Sequence, residues 1–166
     1  LDLTAPLAFR PIYKSKVWGG RRMSQWRADL PDGPVGESWD LSDHEAGVSV
    51  VDGGPLDGRT LSELTSSAPN ALVGADFAGG EFPLMVKLID ASDNLSVQVH
   101  PDDALARSLG VAPRGKTECW LIADDGGELY QGTRAGVGRA EFEAALGAGT
   151  LEQTLNRYAV KRGDFF

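Results

Sequence analysis

The chain has little cysteine and little histidine. Its 166 residues include one cysteine, Cys119, and two histidines. One cysteine cannot form a disulfide within the chain, and the first residues show no basic segment followed by an apolar core and a small-residue cleavage site. We therefore expect a cytoplasmic protein. A cysteine nucleophile is also disfavoured, because it needs a neighbouring base and none lies near Cys119 in the sequence.

Long apolar runs and an excess of positive charge are absent as well. No run approaches the roughly 20 apolar residues that span a bilayer, and 24 acidic residues outweigh 16 basic ones to give a net charge of -8. A nucleic-acid surface needs clustered Lys and Arg. The composition argues against membrane and nucleic-acid partners, whereas a small anionic ligand needs only a few local cations. Phosphate-binding glycine loops and a G-x-S-x-G motif are also missing.

Glycine and proline, by contrast, are plentiful and separate short apolar runs. The 21 glycines and nine prolines indicate many strands and turns with few helices. Strands are predicted over 36–42, 47–52, 83–91, 95–100, 117–123 and 127–132. Helices are predicted over 138–147, over 102–109, after a Thr60 cap and from Thr150. The sequence therefore predicts a mainly β, mostly antiparallel protein that forms a single domain over 1–166.

Two of the predicted strands carry side chains that can ligate a metal. Gln98 and His100 alternate with apolar residues in "NLSVQVHPDD", so both face the same way about 6.6 Å apart. Lys116 and Glu118 have the same spacing in "GKTECW". If the two strands are neighbours, an amide oxygen, an imidazole and a carboxylate converge as zinc-type ligands. The alternative is a structural histidine and an exposed strand edge kept polar for solubility.

A lysine also interrupts the most apolar run of the chain. Lys87 lies in the middle of "FPLMVKLIDA", where a buried cation is costly unless it is paired or functional. We interpret it as part of a site, with pairing to Asp90 or Asp93 as the structural alternative. His44, in an acidic stretch that resembles a turn, is interpreted as a surface histidine.

Taken together, these motifs resemble the type I mannose-6-phosphate isomerases, in particular the short bacterial members of this cupin-fold family. The resemblance lies in "PIYKSKVWGG" (11–20), "GESWDLSDH" (36–44), "GRTLSEL" (58–64), "FPLMVKLIDASDNLSVQVHPDD" (82–103), "GKTECWLI" (115–122) and "LNRYAVKRGDFF" (155–166). It implies a cupin-type jelly-roll β-sandwich with a few short helices, in one metal-binding catalytic domain. The implied reaction is a zinc-dependent aldose–ketose isomerisation of mannose 6-phosphate and fructose 6-phosphate.

The resemblance also implies roles for individual residues. Gln98, His100 and Glu118 match metal ligands for one Zn²⁺ per chain. Lys87 and Lys116 match lysines at the reacting sugar phosphate, and Trp18, Glu37 and Ser38 match motifs near the substrate pocket. The family's fourth ligand, a histidine, and an active-site arginine come after the point that corresponds to Phe166, so we expect this chain to be an N-terminal portion. Two alternatives remain open, namely a non-catalytic cupin that binds a sugar phosphate or metal, and an iron oxygenase.

Overall fold

The computed structural model describes residues 3–112 and 114–166. The chain divides into two compact units, one that ends at Leu95 and one that spans Ser96–Phe166, and each is described by itself. The single domain predicted over 1–166 stays a prediction. Among the described residues, no helix has the length and apolar character needed to cross a bilayer.

The first unit contains five short strands and two short helices within its described residues. The strands are β1 (Ile12–Lys14), β2 (Glu37–Leu41), β3 (Asp43–His44), β4 (Gly47–Val48) and β5 (Val86–Ile89). The helices are α1 (Leu61–Ser67) and α2 (Pro69–Leu72), with 3-10 turns at Arg22–Gln25 and Gly54–Leu56. Two of the predicted strands, over 47–52 and 83–91, are thus present in shorter form.

A three-stranded antiparallel sheet in the order β1-β2-β5 forms the centre of this unit. In its register, Trp39 lies between Ile12 and Lys87, and Glu37 pairs with Lys14 on the β1 side. Because side chains alternate along a strand, Glu37 and Trp39 share one face of β2, and the residue between them points to the other face.

The buried core of the first unit is apolar and includes one face of α1. Its members are each at most 1% exposed: Met23, Val35, Val51, Leu61 and Leu64. A capping box fixes the start of α1, because the Thr60 side chain accepts from the Glu63 amide and the Glu63 carboxylate accepts from the Thr60 amide. Such reciprocal bonds satisfy amides that the helix leaves free. The predicted Thr60 cap is confirmed.

Among its described residues, the second unit contains two helices and two paired strands, and the second helix lies between the strands along the chain. Its elements are α3 (Asp103–Leu109), β6 (Glu128–Thr133), α4 (Arg139–Ala148), a 3-10 turn (Leu151–Thr154) and β7 (Leu155–Ala159). β6 and β7 pair antiparallel. The α3 helix begins with an Asp102 cap and ends at Gly110 in the left-handed conformation at φ 64°, which a glycine adopts without steric cost. The predicted helices over 102–109 and 138–147 are confirmed.

Two predicted strands differ from the structure. Residues 94–100 contain no strand, and within the described part of the chain their backbone makes no hydrogen bond to another backbone group. Of 117–123, only the end forms a ladder, in which Trp120 and Phe166 exchange backbone bonds of 2.8 and 2.9 Å. Alternation in the sequence predicts which side chains share a face, but a strand exists only where a partner backbone lies alongside.

Candidate active site

One cluster of charged side chains lies on the central sheet of the first unit. Lys87 Nζ lies 3.6 Å from Glu37 Oε2, and the two side chains are 27% and 13% exposed. The predicted alternatives for Lys87 were Asp90 and Asp93, whereas the structure pairs it with a residue of the neighbouring strand. The partially buried ammonium is therefore compensated by a carboxylate, which is the condition for keeping a charge away from water.

Trp39 belongs to the same cluster, although it is not among the predicted site residues. Its indole Nε1 donates a hydrogen bond of 2.6 Å to Glu37 Oε2. Lys14 Nζ lies 4.3 Å from the centre of the Trp39 ring, and His44 meets the ring edge-on at 5.9 Å between centroids. The signal for Trp39 was present in the sequence, since it lies two residues after Glu37 and so shares its face.

Ser38 lies on the opposite face of the sheet from Glu37. It is completely buried, and its hydroxyl donates a 2.7 Å hydrogen bond to Asp40. Asp40 in turn pairs with Arg27 at 2.5 Å. The geometry places the Ser38 side chain in an internal polar network, and its assignment to substrate binding stays a prediction.

Trp18 is held beside the start of β2 by close backbone packing. A Cβ atom on Gly36 would lie 2.7 Å from Trp18 Cζ3, so only glycine leaves room for this ring. The Trp18 carbonyl accepts hydrogen bonds from the Ser92 amide at 2.9 Å and from its hydroxyl at 3.1 Å. Trp18 therefore packs against the residue that precedes Glu37, and its assignment to substrate binding stays a prediction.

A second cluster, in the second unit, joins three of the predicted site residues. Lys116 Nζ lies 2.7 Å from Glu118 Oε2 and 3.2 Å from His100 Nε2, and His100 Nε2 lies 3.3 Å from Glu118 Oε1. Partial burial raises the pKa of Glu118, but the hydrogen bond and charge of Lys116, together with His100, outweigh it and leave this pKa below its ordinary value. Glu118 is thus kept ionised, which is the form that ligates metals.

Contacts at the start of α3 bring the two segments of this cluster together. The Lys116 amide donates to the Pro101 carbonyl at 3.2 Å, and the Gly115 amide donates to Asp103 Oδ1 at 2.8 Å. A Cβ atom on Gly115 would lie 2.5 Å from the Pro101 oxygen, so a larger residue would separate the segments. Glycine before Lys116 is therefore a requirement for placing Lys116 and Glu118 beside His100.

The donor atoms of this cluster suit a metal ion in part. With its proton on Nδ1, His100 accepts from Lys116 through Nε2, and this nitrogen and Glu118 Oε1 are two electron-pair donors 3.3 Å apart. Two ligands about 2.1 Å from a tetrahedral Zn²⁺ are separated by about 3.4 Å. Among the described residues, Gln98 makes no hydrogen bond to His100 or Glu118. Its amide nitrogen donates to Ser96 Oγ at 2.8 Å instead. Across the described residues, no three His, Cys, Asp or Glu side chains converge.

The sequence places this chain in a known family. Residues 7–128 match the phosphomannose isomerase type I catalytic domain. The chain belongs to the type I phosphomannose isomerases. Type I phosphomannose isomerases are metalloenzymes. The match includes both clusters of charged side chains, from Lys14 to Glu118.

Relatives and solved structures agree with this membership in the type I phosphomannose isomerases. The chain is 40% identical to GmuF, a probable mannose-6-phosphate isomerase of Bacillus subtilis, and the match covers 99% of the present chain. It is 38% identical to the mannose-6-phosphate isomerase of Streptococcus mutans, also over 99%. The crystal structure of the Bacillus subtilis mannose 6-phosphate isomerase superposes on 97% of the chain with a TM-score of 0.85 and 34% identity. The predicted mainly β, cupin-type fold is confirmed.

The chain spans about half the length of these relatives. It covers 52% of GmuF, 52% of the Streptococcus mutans protein and 51% of the crystallised Bacillus subtilis enzyme. The likeness therefore concerns one half of those proteins.

Proposed function

We propose that the complete protein is a metal-dependent isomerase that interconverts mannose 6-phosphate and fructose 6-phosphate. The observation that carries the proposal is the convergence of His100, Lys116 and Glu118 in a chain of this family. The single cysteine supports a reducing, cytoplasmic location for this activity.

His100 and Glu118 are the residues that would hold one Zn²⁺ per chain, with the Gln98 amide oxygen as a further ligand. An imidazole, a carboxylate and a neutral oxygen form a donor set that zinc accepts. When bound, the metal supplies Lewis-acid polarisation of the sugar oxygens at which negative charge develops.

The lysines are proposed to handle charge and protons during the reaction. Moving a proton between C1 and C2 passes through an enediol-type species, which needs a group that stabilises the anionic oxygen and a group that carries the proton. Lys116 presents its ammonium 3.2 Å from His100 and 2.7 Å from Glu118, where it can donate a proton to such an oxygen. Lys87 offers a second positive charge, whose position Glu37 fixes at 3.6 Å.

Trp18 and Glu37 are proposed to contact the sugar phosphate. Trp18 packs on Gly36 and Glu37 is mostly buried, so both are fixed before a ligand arrives, which lowers the entropic cost of binding. Ser38 is retained as a substrate-binding residue by resemblance alone.

The proposed function is tested by an isomerase assay on the complete protein before and after metal removal. Turnover is expected to disappear with a chelator and to return with Zn²⁺. Glu118→Gln is expected to lower kcat/KM by at least about a hundredfold. Glu143→Gln is the matched control, because among the described residues Glu143 makes a surface ion pair with Arg139 on α4 and contacts neither cluster. Full turnover after complete metal removal would refute the proposal, and ligand binding without turnover would favour a non-catalytic cupin.

A further inference from the structure

The Glu37 carboxylate is held from one side by an aromatic residue without an assigned role. Trp39 Nε1 donates to Glu37 Oε2 at 2.6 Å, and the same oxygen faces Lys87 Nζ at 3.6 Å. Among the described residues, Glu37 Oε1 accepts no hydrogen bond. One oxygen of a mostly buried carboxylate is thus engaged by the protein, and the other keeps its capacity to accept a bond from a ligand hydroxyl.

The Trp39 ring is fixed by its surroundings and not by the hydrogen bond alone. Lys14 lies over the ring at 4.3 Å and is itself anchored by a 2.8 Å bond from Nζ to the Ala46 carbonyl. His44 meets the ring at an interplanar angle of 82°. A Cβ atom on Gly47 would lie 3.4 Å from Trp39 Cε3, so β4 also lies close to the ring.

Strand register explains why these groups meet. Trp39 lies directly opposite Lys87, and Glu37 lies opposite Lys14, so all four side chains emerge on the same face of the sheet. A cation over an aromatic face and a carboxylate at the indole N–H are both favourable arrangements. The ring therefore contacts Lys14 and Glu37, and Glu37 in turn contacts Lys87.

We propose that Trp39 is a positioning residue for the sugar-phosphate site. Its indole N–H fixes the orientation of the Glu37 carboxylate against Lys87, and so presents Glu37 Oε1 as the acceptor for a substrate hydroxyl. The kinetic part of this inference rests on the proposed isomerase function, whereas the contact between Trp39 and Glu37 does not.

A double-mutant cycle on the complete enzyme tests the kinetic part. Trp39→Phe keeps an aromatic ring, although a smaller one, and removes the N–H donor; it is expected to lower kcat/KM about tenfold to a hundredfold because a hydrogen bond to a charged group is lost. In a Glu37→Ala background the same change is expected to alter kcat/KM by less than about twofold, since the group that Trp39 positions is gone. Trp26→Phe, at a 43% exposed tryptophan, is the control and should leave activity unchanged.

An equal loss from Trp39→Phe in both backgrounds would overturn the positioning role and indicate a purely structural one. Unchanged activity in Trp39→Phe would also overturn it. Melting temperatures of all variants identify any that fail to fold.

Nuclear magnetic resonance of the complete protein, labelled with ¹⁵N-tryptophan, tests the contact independently of activity and of any variant's folding. The Trp39 indole proton is expected to exchange with solvent more slowly than that of Trp26, because it is hydrogen-bonded to Glu37. Equal exchange rates would overturn the inference even in an active isomerase. Slow exchange in a protein without isomerase activity would refute the proposed function and keep the contact.

Discussion

The two clusters of charged side chains are held in different ways. Glu37 and Lys87 lie on paired strands of the first unit and are 13% and 27% exposed. His100, Lys116 and Glu118 lie on segments without a strand in the second unit, and Lys116 and Glu118 are 46% and 36% exposed. Hydrogen-bonded backbone places the first cluster, whereas contacts at the start of α3 and mutual attraction place the second.

This difference suggests a division between rigidity and adaptability. A cluster built on a sheet keeps its geometry without a ligand, and changes to it affect folding as well as activity. A cluster of exposed side chains contributes little to folding, because solvent screens its ion pairs. Its side chains are therefore freer to rearrange than those of the first cluster.

The largest expected effect concerns the buried core of the first unit, compared with an exposed position of the second. Leu64→Ala removes a completely buried side chain and is expected to lower the free energy of unfolding by about 3 kcal/mol, through lost burial and a cavity. Leu146→Ala, at a 59% exposed position of α4, is expected to cost less than about 1 kcal/mol. Denaturant unfolding of the complete protein measures both losses of unfolding free energy. Similar losses would contradict the expectation that burial decides the cost.

Removal of the predicted histidine ligand is expected to separate function from stability. His100→Ala should lower bound zinc and lower kcat/KM by at least about a hundredfold, with little change in melting temperature. His44→Ala is the control for metal content, because His44 contacts the Trp39 ring and belongs to the other cluster. Native mass spectrometry reports the bound metal, and equal zinc loss in both variants would contradict the ligand assignment.

The two lysines provide the sharpest comparison of the clusters. Lys87→Met leaves the mostly buried Glu37 without its cation, and we expect a loss of about 2 kcal/mol in unfolding free energy. Lys116→Met removes a half-exposed ion pair and is expected to cost less than about 0.5 kcal/mol, although both variants should lose activity. Chemical denaturation distinguishes them, and a larger cost for Lys116→Met would reverse the comparison.

The smallest effect is a pH dependence in the first unit. Burial and the 2.7 Å hydrogen bond to Asp29 raise the pKa of Tyr13 from the ordinary tyrosine value of 10.0 to about 12. A raised pKa means that the folded state holds the phenolic proton more tightly, so this stabilisation is complete below pH 10 and is lost as the pH rises towards 12.

Tyr13→Phe is therefore expected to cost about 1 kcal/mol at pH 7. The difference from the natural protein should shrink between pH 10 and pH 12. Unfolding curves recorded across that range check the prediction, and a constant difference would show that the Tyr13 phenol titrates normally.

Much of the local structure could be predicted from the sequence. The start of α1 at Thr60 follows from contacts between residues three positions apart. The α3 helix ends at Gly110, directly after the predicted range 102–109, whereas α4 continues past the predicted end at residue 147 and ends at Gly149. The alternation in "GESWDLS" predicted β2 and its two faces. The residues His100, Lys116 and Glu118 were selected as one site from spacing and resemblance, and the structure brings these three together.

Other features could not be predicted because they depend on partners distant in the sequence. Lys87 pairs with Glu37, fifty positions away, and not with the nearby Asp90 or Asp93. The alternation of apolar and polar residues over 94–100 predicts a strand. Among the described residues, however, no backbone pairs with this segment. Ser38 and Glu37 were both predicted to lie near the substrate, because they belong to one motif. In the strand they are adjacent, so their side chains lie on opposite faces of the sheet.

The sequence by itself determined the family, the start of α1 and the kinds of side chain available at the site, since these depend on composition and on neighbours along the chain. Tertiary structure alone decided that Trp39 holds Glu37 and that Lys14, Glu37 and Lys87 share one face of a sheet. Strand register sets such contacts, and register is fixed only when separate segments bury their surfaces against each other.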